Sequence, residues 1–234
     1  MMDIQILHMV EGAKKARGIA VIIDVFRAFT VETYLMRSHA EKIIPMGDVE
    51  AAFAYQKDHP GTVLCGERDG VMIPGFDFGN SPSQLEHADL TGKTVVHTTS
   101  AGTQGIVNAS AADEILTGSL VNARAVAEYI RRKNPAQVSL VCMGLNCLRP
   151  IEEDTLCAEY IKSLLEEKPL TDMEARMDDL RFTSGAKFFD PEKQNVFPKR
   201  DFELCVQLDT VPFVLRLRQD EESGLGCMER VDVL

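Results

Sequence analysis

Apolar runs alternate with helix-period segments through the first 150 residues of the chain. Residues 18–25 carry GIAVIIDV, β-branched and nearly unbroken, which is the pattern of a central strand covered on both faces. Further strands are predicted over 1–10, 42–45, 62–66, 93–97, 113–116 and 137–143, and helices over 29–39, 48–58, from about 103, 121–133 and 151–166. Asp48 is the expected cap of the second helix. A helix over 81–88 has Ser81 as cap, Pro82 in its first turn and Gln84 completing a capping box. Residues 67–80 are glycine-rich and without period, so they read as a long loop of the kind that often carries function. After residue 168 the pattern changes to two or three helices, about 172–182 and 197–208, around a polar stretch, then an apolar segment at 211–217. Repeated strand–helix units predict an α/β fold: a mostly parallel sheet with helices on both faces. The chain reads as one unit over 1–234, with two closely packed α/β subdomains, 1–110 and 111–234, as the alternative.

Composition narrows the possible partners. Hydrophobic residues make up 45% of the chain and charged ones 26%, an ordinary globular balance. The net charge of -11 argues against nucleic acid and against a membrane surface, because both demand an excess of Lys and Arg. An anion would therefore have to be held by a local arginine cluster, backbone N–H groups or a metal. No run of 18 apolar residues is present, and the N-terminal stretch lacks the pattern of a secretory signal. The six cysteines form no CxxC pair, which fits reduced thiols in a cytoplasm. A homodimer is expected on general frequency.

Several stretches offer chemistry. Asp24 ends the central strand and Arg27 follows three residues on, at the strand end where α/β proteins place ligands. The carboxylate suits a divalent metal or attack on phosphorus, and the guanidinium suits an anion; a strand-end ion pair explains both equally simply. The run DVFRAFT does not match the Asp-x-Asp-x-Thr motif of haloacid-dehalogenase phosphatases, because Phe26 stands at the second Asp. CGERDG places Glu67 and Arg68 beside permissive glycines, and a solvated loop is the plain alternative. In GFDFGNSP, Asn80 and Ser81 lie at a helix start, where free N–H groups favour an anion; capping explains Ser81 and Pro82 but not Asp77 or Gly79. The turn Thr98-Thr99-Ser100-Ala101-Gly102-Thr103 can cradle a phosphate or be an ordinary hydroxyl-rich turn, and it is not a P-loop. Glu152, Glu153 and Asp154 open a helix as dipole partners, or supply metal ligands or a general base. The five histidines lack zinc spacing, so oxygen ligands for magnesium are the better expectation. No C-x5-R loop is present, although Cys142 ends a strand.

Taken in order, IIDVFRA (22–28), CGERDG (65–70), PGFDFGNSP (74–82), GKTVVHTTSAGT (92–103), TGSLVNARAV (117–126) and EEDTLCAEYI (152–161) resemble the 2-phosphosulfolactate phosphatase family. The resemblance implies a Mg²⁺-dependent phosphatase that releases phosphate from 2-phospho-3-sulfolactate on the route to coenzyme M. It singles out Asp24, Arg27, Glu67, Arg68, Asp77, Gly79, Asn80, Ser81, Thr98, Thr99, Gly102, Thr103, Glu153 and Asp154. The sequence departs from the pattern at three places: Phe29-Thr30 after Arg-Ala, Gln84 for a Glu, and Ser100-Ala101 for Thr-Asn. These changes bear more on which acid is read than on the phosphatase chemistry.

The expected division of labour has Asp24, Glu67, and Asp77 or Asp154 gathering Mg²⁺. Arg27 and Arg68 bind anionic groups, and backbone N–H groups at Asn80–Ser81 and Gly102–Thr103 complete the cradle. Asp24 as a phosphorylated nucleophile stays open. Replacing Asp24 or Arg27 by alanine is expected to abolish turnover with the fold intact. The tail offers Lys187, Lys193 or Arg200 as a lid. Two other readings remain: a non-enzymatic binder of phosphorylated or sulfonated acids, and a hydrolase or lyase with Cys142 as nucleophile.

Overall fold

The computed structural model describes residues 2–221 and 223–233. Ten strands form one sheet: β1 (Asp3–His8), β2 (Ile19–Ile23), β3 (Lys42–Pro45), β4 (Val63–Arg68), β5 (Val71–Met72), β6 (Thr94–Thr98), β7 (Glu114–Gly118), β8 (Gln137–Cys142), β9 (Phe213–Gln219) and β10 (Gly226–Asp232). Eight helices accompany them: α1 (Met9–Lys15), α2 (Ala28–Arg37), α3 (Val49–Asp58), α4 (Gly102–Asn108), α5 (Ala123–Lys133), α6 (Glu152–Leu165), α7 (Met173–Asp179) and α8 (Lys199–Cys205). The strand order is β1-β8-β2-β7-β9-β10-β3-β6-β4-β5. β1, β8, β2 and β7 pair in parallel, as do β3, β6 and β4, and the antiparallel hairpin β9–β10 joins the two groups. The fold is therefore α/β with a mostly parallel sheet. Strands from both sides of residue 110 interleave, since β1 and β2 pair with β7 and β8.

Successive side chains of a strand point to opposite faces, and β2 shows what that requires of its sequence. Ala20 and Ile22 enter one core with α1, α2 and α4, while Ile19, Val21 and Ile23 enter another with α5 and α6. All five residues are buried, which is why the run contains no polar position. Asp48 caps α3 by accepting from the Ala51 N–H at 2.7 Å. No helix among the described residues is long and apolar enough to cross a membrane.

Some expectations are corrected. The first strand stops at His8, and α1 follows at once. The helix expected over 81–88 is a 3-10 turn at Pro82–Gln84, without a side-chain cap at Ser81. Gln84 turns instead to accept from the Gly79 N–H at 2.8 Å, so no capping box forms. The expected loop 67–80 begins inside β4 and includes β5. The apolar segment at 211–217 becomes β9, and its hairpin partner β10 was not anticipated.

Candidate active site

The carboxyl ends of β2, β4, β6 and β8 converge on a cavity of about 180 Å³. Asp24, Arg27, Glu67 and Asn80 line it, together with Asp69, Ser100 and Lys187. Asp24 lies one residue past β2 at the start of the buried helix α2, and its Oδ1 accepts from the Ala28 N–H at 3.1 Å. That contact satisfies one of the orphan donors of the helix. Burial, reinforced by the nearby Glu67 charge, raises the Asp24 carboxyl from 3.8 to about 6. Glu67 is fixed by three donors: the Ser100 N–H at 2.7 Å, the Gly70 N–H at 2.7 Å and the Ser100 hydroxyl at 3.2 Å.

Arg27 is buried and largely committed to the protein itself. Its Nη1 donates to Asp201 Oδ2 at 2.7 Å and to the Val196 carbonyl at 2.8 Å, and its Nη2 donates to the Gly70 carbonyl at 3.0 Å. The guanidinium also stands 4.8 Å from the Phe197 ring centre. Three of its five N–H groups are thus used, and its charge is balanced by Asp201. The peptide bond between Phe26 and Arg27 is cis.

The other sequence-derived candidates lie outside the cavity lining. Arg68 donates to the carbonyls of Glu67 and Gly47. Asp77 is exposed and accepts from the Leu64 N–H at 2.8 Å. Asp154 is sealed in the core, where Oδ1 and Oδ2 accept from the N–H groups of Val25 and Gly144, each at 2.9 Å. It latches the loop after β2 to the loop after β8, and burial beside Asp24 and Glu153 raises its carboxyl well above the usual range. Two of the four carboxylates expected to gather a metal are therefore turned elsewhere.

The expected anion cradles are occupied by the protein's own groups. The Ser81 hydroxyl and the Ser83 N–H both donate to Asp201 Oδ1, at 2.8 and 3.0 Å. A carboxylate of this chain thus sits at the predicted anion position. Thr99 Oγ1 accepts from the Thr103 N–H at 3.2 Å, and the Thr103 hydroxyl donates to the Thr99 carbonyl at 3.0 Å, so these two residues close the start of α4. Gly102 packs where a Cβ would meet Phe29 and Ala28 at 3.0 and 3.1 Å, and Thr98 is fully buried.

Of the three tail cations, only Lys187 reaches the cavity. Lys193 pairs with Asp190, and Arg200 with Glu86 and Glu203, on the surface. Among the described residues the Lys187 ammonium makes no ion pair or hydrogen bond; it stands 5.1 Å from the Phe197 ring centre and 5.4 Å from that of Phe188, and burial lowers its pKa against the opposing pull of Glu153. Glu153 is fully buried behind this wall, and burial raises its carboxyl to about 7. Cys142 is fully buried and its thiol is pushed up by burial, which removes the thiolate a cysteine nucleophile would need. Asp201 is a site-forming residue that the sequence does not point to, and Ser100 enters the site as part of the hydroxyl-rich turn. Asp201 carries no motif in its own segment, and only the packing of α8 brings it to Arg27.

Among the described residues, no three or more His, Cys, Asp or Glu side chains cluster to hold a metal. The pair Asp24 and Glu67 nonetheless fits magnesium, which typically takes one or two carboxylates and keeps water and substrate phosphate as its remaining ligands.

The fold is of α/β architecture, with a small cavity lined by carboxylates and a lysine at its strand ends. The sequence model described as 2-phosphosulpholactate phosphatase matches residues 5–220. A probable 2-phosphosulfolactate phosphatase of Carboxydothermus hydrogenoformans is 34% identical over 223 residues, covering 91% of this chain and 92% of that protein. A probable 2-phosphosulfolactate phosphatase of Bacillus subtilis is 31% identical over 216 residues, with 91% and 92% covered. The chain belongs to the 2-phosphosulpholactate phosphatase family.

Proposed function

We propose that the chain hydrolyses the phosphate ester of a small anionic 2-hydroxy acid, foremost 2-phosphosulfolactate to 3-sulfolactate and phosphate, with magnesium as cofactor. The observation that carries this reading is the meeting of Asp24, Glu67 and Lys187 in one small cavity of a family member. Asp24 and Glu67 would hold magnesium, which when bound would offset the charge of the phosphoryl group and orient water. Ala28 fixes one Asp24 oxygen and leaves the other to the cavity. Lys187 takes an anionic group of the substrate, because the Arg27 charge is already balanced by Asp201. Phe197 and Ile151 line the cavity as well, narrowing its contact with water.

Phosphate release from a panel of phosphorylated hydroxy acids, with Mg²⁺ and then with EDTA, tests the reading. Metal-dependent release with preference for a sulfonated acid is expected. Binding without release would leave an anion-binding module in its place. Lys187→Met is expected to raise KM about tenfold for a substrate with a second anionic group, and less for a simple alkyl phosphate. Equal effects on both substrates would remove Lys187 from the recognition of that second group.

A further inference from the structure

Two ionisable residues are buried at positions to which the expected division of labour gave no role. Glu32 lies in the middle of α2 and His97 on β6, and both are 0% exposed. Burying a carboxylate and an imidazole is costly unless each finds a partner. They find each other: His97 Nδ1 is 3.1 Å from Glu32 Oε1. The second ring nitrogen, Nε2, is 3.3 Å from Oδ1 of Asn80, which lines the cavity. An amide oxygen only accepts, so the Nε2 that faces it is the donor of that pair. With Oδ1 held from behind, the Asn80 NH₂ is the end left for the cavity, and it donates to no group of the described protein. The His97 charge also works to lower the Asp24 carboxyl, against the burial that raises it.

We propose that Glu32 and His97 are positioning residues that fix the Asn80 side-chain amide with its NH₂ toward the substrate's phosphoryl oxygens. The inference rests on the phosphatase reading of this cavity. Glu32 selects the proton arrangement of His97, as outer-shell carboxylates do for catalytic and metal-bound histidines. His97 in turn prevents the amide flip that would aim an oxygen lone pair at an anion. A donor fixed in advance costs no reorganisation during the reaction.

The test compares Glu32→Gln, His97→Gln, Asn80→Ala and the double variant His97→Gln/Asn80→Ala in the full chain. Each single change is expected to lower kcat/KM about 10- to 100-fold. The double variant should be no worse than Asn80→Ala alone, because His97 acts through Asn80. Additive losses, or losses that only follow a fall in Tm, would show a purely structural pair and overturn the proposal. A second readout does not need turnover. The Asn80 side-chain amide signals in a ¹H–¹⁵N spectrum, identified by their loss in Asn80→Ala, should move in Glu32→Gln and His97→Gln. Unmoved signals overturn the relay even if no phosphate ester proves to be a substrate. Moved signals in an inactive wild type would leave the relay standing and remove only the phosphatase reading.

Discussion

Asp24→Asn is expected to lose turnover by about a thousandfold and yet to melt higher than the wild type in EDTA. Both effects have one cause. On the proposed function the chemistry needs a charge at the mouth of β2, and burial opposes that charge. Its pKa rises from 3.8 to about 6 on folding. Above pH 6 the group is ionised in both states and the folded protein carries the full cost, about 3 kcal/mol for a shift of this size. Between about pH 6 and 3.8 the folded state binds more protons than the unfolded state, so this destabilisation lessens as the pH falls. Asparagine keeps the oxygen that accepts from Ala28 and has no charge to bury. A gain of about 2 kcal/mol, or roughly 5 °C in Tm, is expected at neutral pH. EDTA is essential, since bound metal would stabilise the wild type alone. Turnover at the wild-type level would take Asp24 out of the chemistry, and an unchanged Tm from pH 5 to 8 would deny that its charge is costly. In the wild type, kcat/KM is expected to fall as the pH drops below about 6, as Asp24 protonates.

Arg27→Ala is expected to abolish turnover and to destabilise the fold as well, by about 3–5 kcal/mol. From sequence alone the change should leave the fold intact, but the buried partner alters that expectation. Removing the guanidinium leaves Asp201 fully buried, facing only the Ser81 hydroxyl and the Ser83 N–H. It also frees the Val196 and Gly70 carbonyls and the ring of Phe197. The segment that carries Lys187 into the cavity is held by these same contacts, so hydrogen exchange should quicken from about residue 185 to 205. Arg27→Ala/Asp201→Asn should recover part of the stability but little of the activity. An Arg27→Ala protein with wild-type Tm and exchange would show that the pair does not hold the segment.

The contrast between Asp24 and Arg27 shows what a linear reading could reach. The hydrophobic run 19–23 had no polar position, so it had to lie between two helical layers, and a carboxylate at its end had to face the ligand side of a parallel sheet. That much is local chemistry and periodicity. The same logic reached Glu67, Asn80 and Lys187 as residues of interest, and the cavity lining includes all three. Asp77 and Asp154 suit a metal by type but lie outside the cavity lining, one exposed and held by the Leu64 N–H, the other sealed in the core on the N–H groups of Val25 and Gly144. A sequence shows that a carboxylate is present, not which donors reach it first.

Residue type and period therefore determined the α/β class and the strand ends at which the cavity lies. Tertiary structure alone decided three things. It joined the two parallel groups through the β9–β10 hairpin, whose pairing spans the sheet rather than neighbouring segments. It set Asp201 of α8 against Arg27, 174 positions away, turning an expected phosphate clamp into a buried ion pair. It also lined up Glu32, His97 and Asn80 from a helix, a strand and a loop. The physical reason is the same in each case: hydrogen bonds and ion pairs between distant residues depend on which groups packing brings within about 3 Å, and no local pattern encodes that distance.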